Sequence, residues 1–510
     1  MSDLKKSAPE APKYTIVRDS IIYERIWYLE YRLGIRSNVV VAATYNHPSG
    51  QALTKPMVLR ALKTVIEQQP SMRLVGVPVT KQDKQGKETT GLMMAALNEI
   101  NVEESVQFKE GQGITEEMIE KLHNQWDFGE PDKPWFKLVV SGSTVYYVNH
   151  HAINDGMSGY IFHRTFTAAL NAAGANSSTD GVTTWSSTYD PSTMAITPSL
   201  HSVVQQGEAK GKPWQVNVWE VIKPVLTAWL LYMFVPSWLV FSDLPSVKPK
   251  PHTASTVIEA SDRGVTRTVL RRIPAETMDK LVAKCRENGT SVTALLMTML
   301  TASIINDYYS DKTFLLSVIS VDIRNRLPDD MIALENKTMG NRAGGVYSFQ
   351  KTGKYKGLFP SGQDKLGEQS STLKTDEIWA RARDAKQWMH AGLDPAARTI
   401  RASAEQPNDL DAVAKTLTAG EAMKPAYNLG NLGPYVSEKS QDGWTVEDVA
   451  FSGPPQGGIG GPRPPLFQVG GVKGGNTHIA TNWQDGGMPR EKIEGIVDGT
   501  LRRIEQLVIS

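Results

Sequence analysis

The stretch YVNHHAINDGMSGY, residues 147–160, ends an apolar run on two adjacent histidines and continues into an aspartate and a glycine. The residues at 145–148 are β-branched or aromatic and predict a strand that leads into it. The residues after Gly156 predict a helix, and Gly156 itself permits a tight turn. Strand ends and the loops after them commonly carry functional side chains. The stretch therefore predicts a candidate site at the end of a strand.

The residue types in this stretch suit proton transfer. An imidazole can take a proton from an attacking hydroxyl group and return it to a leaving group at neutral pH. Asp155, four residues after His151, could fix the loop through an ion pair without touching a substrate. The spacing alone is weak, and by itself it favours an ordinary polar strand end.

Length and charge limit the other possibilities. A chain of 510 residues is too long for one core, so we expect two domains. A stretch rich in Ser, Thr, Gly and Pro predicts an N-terminal domain over 1–185, a linker over 186–255 and a C-terminal domain over 256–510. Lys and Arg total 55 against 54 Asp and Glu, which gives no electrostatic case for nucleic acid. The single cysteine, Cys285, excludes an internal disulfide and fits a reducing compartment.

Residues 224–241 form an apolar segment without a charge. Three interpretations compete: a buried crossover helix, an element lying on a membrane, and the wall of a pocket for an apolar substrate. A true span is disfavoured because about 20 apolar residues are needed and Pro236 interrupts the segment. The N-terminal residues lack the apolar core of a secretory signal, so we expect a cytoplasmic chain, with association at the endoplasmic reticulum surface as the alternative.

Helical and strand patterns alternate through both halves of the chain. Apolar periodicity predicts helices such as 18–34 and 53–70, and β-branched runs predict strands such as 37–46. The glycine-dense region 453–475 predicts a surface loop, with a mobile flap as the less favoured interpretation. Mixed elements in both halves predict an α/β or α+β fold.

The motif HHAINDG resembles the HHxxxDG signature of the chloramphenicol acetyltransferase-like superfamily. That group includes peptide-synthetase condensation domains, plant BAHD acyltransferases and fungal alcohol acetyltransferases. Further stretches resemble the alcohol acetyltransferase or BAHD branch in the expected order, over most of residues 18–500: YERIWYLEYRLGIRSNVVVAATYN, LRALKTVIEQQPSMRL, KPWFKLVV, VDIRNRLP, MGNRAGG, NLGNLGPY and WTVEDVAFSG. The D-F-G-W-G motif of the plant enzymes is absent, which disfavours that subclass.

The resemblance implies a fold and a division of roles. The fold would comprise two chloramphenicol acetyltransferase-like domains, each a mixed β-sheet flanked by helices, with an active-site channel between them. His151 would be the general base and His150 a packing and orienting residue. Asp155 would be structural and ion-paired with Arg324, with Arg326 as the second choice.

The resemblance also implies substrates and partners. The donor would be an acyl-CoA, with acetyl-CoA expected, and no cofactor would be permanently bound. The acceptor would be a hydrophobic alcohol of secondary metabolism. No metal site is expected, and neither is a nucleic-acid partner. We expect a monomer, with peripheral membrane contact through residues 224–241 as an open question.

Several further residues are candidates for positioning or binding. Asn431 is a candidate for holding the oxyanion, although Gly430 stands where family members often carry serine. The other candidates for contact with substrate or cofactor are His150, Gly156, Asn428, Ser452, Arg342, Arg463 and Lys473. A turn-forming role for the asparagines and a solvated surface charge for the basic residues are the competing interpretations.

Two other functions remain open on the same fold. One is a condensation or release enzyme that uses an acyl thioester bound to a carrier protein. The other is a non-acylating scaffold for cyclisation or binding, in which His151 moves a different proton or is merely inherited.

Overall fold

The computed structural model describes most of the chain. The described residues are 13–82, 86, 88–173, 183–187, 198–210, 219, 222, 226, 230, 233–234, 251–359, 373–403, 406–418, 425–438, 442–455 and 464–509.

The strands lie in two larger and two smaller sheets. In chain order they are β1 Tyr14–Asp19, β2 Asn38–Asn46, β3 Leu74–Gln82, β4 Glu88–Leu97, β5 Glu99–Asn101, β6 Val106–Lys109, β7 Phe136–Ser141, β8 Thr144–His150, β9 Thr184–Ser186, β10 Thr266–Ile273, β11 Phe314–Asp322, β12 Ala343–Lys351, β13 Tyr427–Tyr435, β14 Thr445–Ser452, β15 Leu466–Val472 and β16 Thr477–Gln484.

The helices alternate with these strands. They are α1 Ile22–Arg32, α2 Lys55–Gln68, α3 Glu116–His123, α4 Gly156–Ala173, α5 Leu200–Ala209, α6 Ala275–Glu287, α7 Val292–Asp307, α8 Asp329–Glu335, α9 Thr375–Ala402, α10 Leu410–Thr418 and α11 Arg490–Ile509.

Both larger sheets are mixed, which confirms the predicted fold class. The five-stranded sheet has the order β14-β2-β8-β7-β6, and only its β6–β7 pair is parallel. The six-stranded sheet has the order β10-β16-β15-β13-β11-β12, with parallel pairs on both sides of β13. Strand β2 is buried on both faces, because Val41 packs in the large core and Val40 in a smaller one beneath α3. A continuous apolar run is therefore expected there.

The two halves of the chain are joined through the five-stranded sheet. Strand β14 comes from the C-terminal half yet pairs with β2, so that Ser452 lies opposite Val40. Helix α10 also packs into the N-terminal core, through Leu410 and Val413. The domain boundaries at 185 and 255 stay predictions, but contacts cross them.

The glycine-dense region is not simply a loop. Residues 466–472 form β15, between β13 and β16, which overturns the loop prediction for that part. The glycines of β15 allow neighbouring backbone to approach the strand closely. A Cβ at Gly471 would lie 2.4 Å from the Asn476 carbonyl oxygen. Residues 456–463, including Arg463, lie outside the described residues.

Part of the apolar segment 224–241 is described. Leu226, Leu230, Met233 and Phe234 are helical and exposed, by 41% to 73% of the residue surface, which does not fit a fully buried crossover helix. Within the described part of the chain, no single helix has the length and apolar character to cross a bilayer; α6 and α7 meet that test only as a pair, bent by 98°.

Candidate active site

His150 ends β8 and is fully enclosed. Its ring stacks on Trp135 with a centroid distance of 4.5 Å and lies 4.7 Å from the ring of Tyr31. Its Nδ1 accepts a hydrogen bond of 3.0 Å from the Ala152 backbone N–H. Burial lowers the pKa of His150 to about 3, with a smaller effect from neighbouring His151. His150 is therefore a neutral packing residue that shapes the turn, and it is closed to a substrate in this conformation.

His151 lies in the turn after β8 and is only partly buried. The indole of Trp27, on α1, stacks on its ring at 4.6 Å with an angle of 13° between the planes. The Nδ1 atom lies 3.2 Å from the carbonyl oxygen of Asn154, which can only accept a hydrogen bond. In the tautomer that satisfies this contact, Nδ1 carries the proton and Nε2 keeps its lone pair.

Asn341 reaches His151 from the other half of the chain. Its Nδ2 donates to the His151 carbonyl and lies 3.0 Å from Nδ1. Its Oδ1 accepts a hydrogen bond of 3.2 Å from the Ala343 backbone N–H, which fixes the direction of the amide. Two groups thus compete at Nδ1: the Asn154 carbonyl favours a proton there, and the Asn341 amide favours a lone pair.

The surroundings of His151 keep it neutral. Burial lowers the pKa of His151 to about 4, and the positive charge of Arg36 contributes in the same direction. Near pH 7 the ring is therefore uncharged and can accept a proton, as a general base must.

Asp155 is buried within a network that fixes the turn. Its Oδ2 lies 3.0 Å from Arg324 Nη1 and accepts a 2.8 Å hydrogen bond from the Arg342 backbone N–H. Its Oδ1 accepts a 2.7 Å hydrogen bond from the Ser158 N–H in the first turn of α4. Burial raises the pKa of Asp155, but the Arg324 charge and these hydrogen bonds outweigh it and hold the pKa below the usual value. The carboxylate is engaged with the arginine and backbone groups rather than with His151.

Arg324 lies in a 3-10 turn shortly after β11. It is fully buried and also donates to the Gly340 carbonyl at 2.8 Å and contacts Asp322 at 3.1 Å. The second choice, Arg326, contacts Asp394 at 3.4 Å instead.

Ser452 is buried in a polar network of its own. Its Oγ lies 2.7 Å from His123 Nε2 and accepts a 2.8 Å hydrogen bond from Asn482 Nδ2. Burial lowers the pKa of His123 to about 3. Ser452 therefore joins α3 to the six-stranded sheet, and its hydroxyl is not open to a substrate in this conformation.

The two candidate asparagines lie on β13. Asn431 donates through Nδ2 to Thr293 Oγ1 at 3.0 Å and accepts from the Gly433 N–H at 2.8 Å. Asn428 accepts from Ser320 Oγ at 3.3 Å. The Asn431 amide thus ties β13 to the start of α7, so it would have to leave these partners to hold an oxyanion.

Two of the basic candidate residues, Arg342 and Lys473, differ in exposure. Arg342 is 2% exposed and forms a 2.7 Å ion pair with Glu335, so its guanidinium group lies inside the protein, and contact with substrate or cofactor stays a prediction for it. Lys473 is exposed just after β15.

Gly156 begins α4, but the structure gives a different reason for glycine there than the predicted tight turn. Its backbone is not in the left-handed region; instead, an added Cβ would lie 2.6 Å from Phe451 Cε2 and 3.0 Å from Leu432 Cδ2. The helix start is thus packed directly against β13 and β14.

Sequence reasoning missed Trp27 and Asn341 as site residues. Trp27 lies within the helix predicted over 18–34 and has no motif of its own. Asn341 did carry a signal, since it belongs to the MGNRAGG motif, but nothing local shows that it meets His151. Among the described residues, no group of three or more His, Cys, Asp or Glu side chains is placed to hold a metal.

Comparison with known proteins identifies the family. A family model described as alcohol acetyltransferase matches residues 94–458, more than half of the chain. The probable alcohol acetyltransferase crmB of Aspergillus fumigatus is 22% identical, covering 76% of this chain and 74% of its own. The probable alcohol acetyltransferase FCK4 of Fusarium pseudograminearum is 22% identical, covering 95% and 94%.

Solved structures share the fold. The trichothecene 15-O-acetyltransferase TRI3 of Fusarium sporotrichioides matches with a TM-score of 0.69 at 12% identity, over 99% of both chains. The first condensation domain of the calcium-dependent antibiotic synthetase matches with a TM-score of 0.57 at 12% identity, over 97% of both chains. The chain therefore belongs to the alcohol acetyltransferase family and has the chloramphenicol acetyltransferase-like fold that HHAINDG predicted.

Proposed function

We propose that this acyltransferase moves an acyl group, with acetyl expected, from acyl-CoA to the hydroxyl group of an apolar small molecule of secondary metabolism. The observation that carries the proposal is His151: a neutral, partly exposed imidazole at a strand end, with Nδ1 3.2 Å from a backbone carbonyl oxygen. The names of the two fungal relatives and of the trichothecene enzyme support a hydroxyl acceptor.

The proposed reaction uses one proton shuttle. The acceptor hydroxyl donates a hydrogen bond to His151 Nε2 and attacks the thioester carbonyl carbon. As the new C–O bond forms, the proton moves to Nε2, and the Nδ1–H bond to the Asn154 carbonyl stabilises the imidazolium. As the C–S bond breaks, the proton moves from Nε2 to the departing CoA sulfur. Asp155 remains paired with Arg324 throughout and holds the turn.

Replacing His151 by alanine tests the base. We expect His151→Ala to abolish the release of CoA thiol from acetyl-CoA in the presence of an alcohol panel, because the imidazole is the group that takes the proton in the proposed reaction. Far-ultraviolet circular dichroism and thermal melting should stay close to those of the wild type, since the ring is only partly buried.

The matched control is His390→Ala, on the exposed face of α9. This variant should retain full activity. Wild-type rates from His151→Ala would reject the mechanism, and a loss of activity in both variants would point to a general defect.

A second candidate function uses a carrier-protein donor, because the same fold occurs in a condensation domain. The two functions separate in one assay that compares free acetyl-CoA with an acetyl-phosphopantetheinyl carrier protein. Turnover with free acetyl-CoA supports our proposal, whereas turnover only with the loaded carrier favours the alternative.

We also propose that the chain is cytoplasmic and touches a membrane, such as the endoplasmic reticulum surface, through residues 224–241. The exposed apolar side chains of Leu226, Leu230 and Phe234 support this contact. Flotation with phospholipid vesicles should recover the wild-type chain and lose the triple variant Leu226→Ser, Leu230→Ser, Phe234→Ser. Leu334→Ser, at a residue 64% exposed on α8, is the control and should float like the wild type. Flotation of the triple variant at the wild-type level would exclude this contact.

A further inference from the structure

The face of the His151 ring is covered by an indole. Trp27, on α1, stacks on it with 4.6 Å between the ring centroids and 13° between the planes. Trp27 is 8% exposed, belongs to the large core of the N-terminal half, and contacts the ring of Tyr23, one helical turn earlier, at 5.6 Å. The core therefore holds the indole in place, with its face against the imidazole.

The edge of the His151 ring is fixed as well. Nδ1 lies 3.2 Å from the Asn154 carbonyl oxygen and 3.0 Å from the Asn341 amide nitrogen. The Asn154 carbonyl is held in turn, because it accepts a 3.2 Å hydrogen bond from Asn149 Nδ2. The imidazole cannot turn away from the indole without losing these contacts at its edge.

The charged groups around His151 give little support to a positive charge on its ring. Burial and the charge of Arg36 lower the pKa of His151, and the charge of Asp155 acts in the opposite direction. The Asp155 carboxylate, however, is engaged by Arg324 through Oδ2 and by the Ser158 N–H through Oδ1. The imidazolium that forms when Nε2 takes a proton therefore needs a further source of stabilisation.

An aromatic face can supply it. The face of an aromatic ring carries negative partial charge and attracts a cation within about 6 Å of the ring centroid, and tryptophan has the strongest such face. The separation of 4.6 Å between Trp27 and His151 lies within this range. Because the attraction acts on the charged imidazole far more than on the neutral one, it grows as the proton moves to Nε2. An interaction of this kind raises kcat rather than lowering KM.

The neighbouring histidine has a similar stack but not the same opportunity. Trp135 lies 4.5 Å from the ring of His150, with 29° between the planes. His150 is 1% exposed, and its Nδ1 already accepts a hydrogen bond from the Ala152 N–H. That stack serves packing, so the role of Trp27 follows from the partial exposure of His151 together with the stack.

We infer that Trp27 is a positioning residue of the proposed reaction, whose indole face stabilises the imidazolium that His151 becomes when it takes the proton of the acceptor hydroxyl. The proton leaves the hydroxyl oxygen as the C–O bond forms and stays on Nε2 until the C–S bond breaks and the sulfur takes it. The inference rests on the proposed function and deepens it, because it names the group that supports the charge on the base.

Fluorinated tryptophans at position 27 test the inference, because each added fluorine weakens the negative face of the indole with little change in its size. We expect log kcat for thiol release from acetyl-CoA, with an alcohol that the wild type acylates, to fall steadily with the number of fluorines. The total fall should be roughly twofold to thirtyfold, the range that a cation–π contact supplies. KM for both substrates should stay within about twofold of the wild-type value. A kcat that does not change along the series overturns the inference.

The matched control carries the same fluorinated residues at position 379. Trp379 is 4% exposed and lies on α9 in the core of the C-terminal half. This second series should keep the wild-type kcat. An equal fall in both series would show a general effect of fluorination and overturn the role of Trp27.

Chemical modification separates this inference from the proposed function. Diethyl pyrocarbonate acylates a neutral imidazole nitrogen, and positive charge develops on the ring in that step. The rate of modification of His151, followed by mass spectrometry of its peptide, should fall along the series at position 27 and stay constant along the series at position 379. A constant rate at position 27 overturns the inference. A falling rate without any thiol release by the wild type overturns the proposed acyl transfer and leaves the contribution of Trp27 to the charged ring standing.

Discussion

At the scale of single residues, the two adjacent histidines differ because of their neighbours. Successive residues near a strand end point to opposite sides. His150 enters the aromatic cluster with Tyr31 and Trp135 and is closed to solvent. His151 contacts Trp27 on one side and stays partly exposed. The same residue type thus has a packing role at one position and a candidate catalytic role at the next.

The buried pair of Asp155 and Arg324 should be costly to break. Asp155→Asn leaves Arg324 with Asp322 as its nearest carboxylate, so we expect a loss of unfolding free energy of about 3–5 kcal/mol. Urea denaturation, monitored by fluorescence, measures this change in the free energy of unfolding. Glu276→Gln, which removes an exposed partner of Lys280, is the control and should change little. A similarly small change for Asp155→Asn would show that the pair does not hold the turn.

At the scale of elements, α4 connects the motif to both sheets. Gly159 lies against Val41 of β2, so closely that an added Cβ would be 2.2 Å from a methyl group. Tyr160 Oη donates to the Gly433 carbonyl at 3.0 Å and accepts from the Gly471 N–H at 3.2 Å. The first turns of this helix therefore hold β13 and β15 beside the strand that carries the histidines.

The close contact at Gly156 gives a test of this packing. Gly156→Ala places a Cβ 2.6 Å from Phe451 Cε2, so we expect a loss of about 1–3 kcal/mol in stability and a fall in activity. Phe451→Leu in the same chain should restore part of both, because it makes room for the methyl group. Gly353→Ala, with open space around it, is the control. Additive effects of the two substitutions in the double variant would show that the contact is not the cause.

At the scale of the whole molecule, the candidate site forms only where the two halves of the chain meet. His151 and Asp155 come from the N-terminal half, whereas Arg324 and Asn341 come from the C-terminal half. Strand β14 and helix α10 also come from the C-terminal half and pack into the N-terminal half. Assembly of the site therefore requires the complete fold.

Buried histidines should make the whole molecule sensitive to acid. Burial lowers the pKa of several histidines to about 3 or about 4. These are His123, His150, His151, His163 and His201. Each has an ordinary pKa near 6.5 when unfolded, so below that pH the unfolded chain binds more protons than the folded one. Stability should be greatest above pH 6.5 and fall as the pH falls towards 4, by up to about 1.4 kcal/mol per pH unit for each group.

Thermal melting at pH 7.5, 6.0 and 5.0 measures this effect. The melting temperature should decrease through the series, and His201→Gln should make the decrease shallower by removing one titrating group. A melting temperature that does not change with pH would show that these histidines are not held neutral in the folded state.

The sequence by itself determined the class of fold and predicted residues of the candidate site. Strand patterns are local, so β2 and β8 could be predicted within one or two residues. The motif HHAINDG, with its partner stretches, predicted the family and the residues His151, Asp155 and Arg324. These features can be predicted from the sequence because they depend on neighbouring residues in the chain or on a recognisable motif.

Only the tertiary structure decided which distant groups meet. It made a central strand of the glycine-rich β15, buried Ser452 against His123, and paired Arg342 with Glu335. It also brought Trp27 and Asn341 to the His151 ring across separations of more than 100 residues. No local pattern encodes such contacts, because they arise from packing two sheets around shared helices, and that packing sets which side chains are buried and which remain open to a substrate.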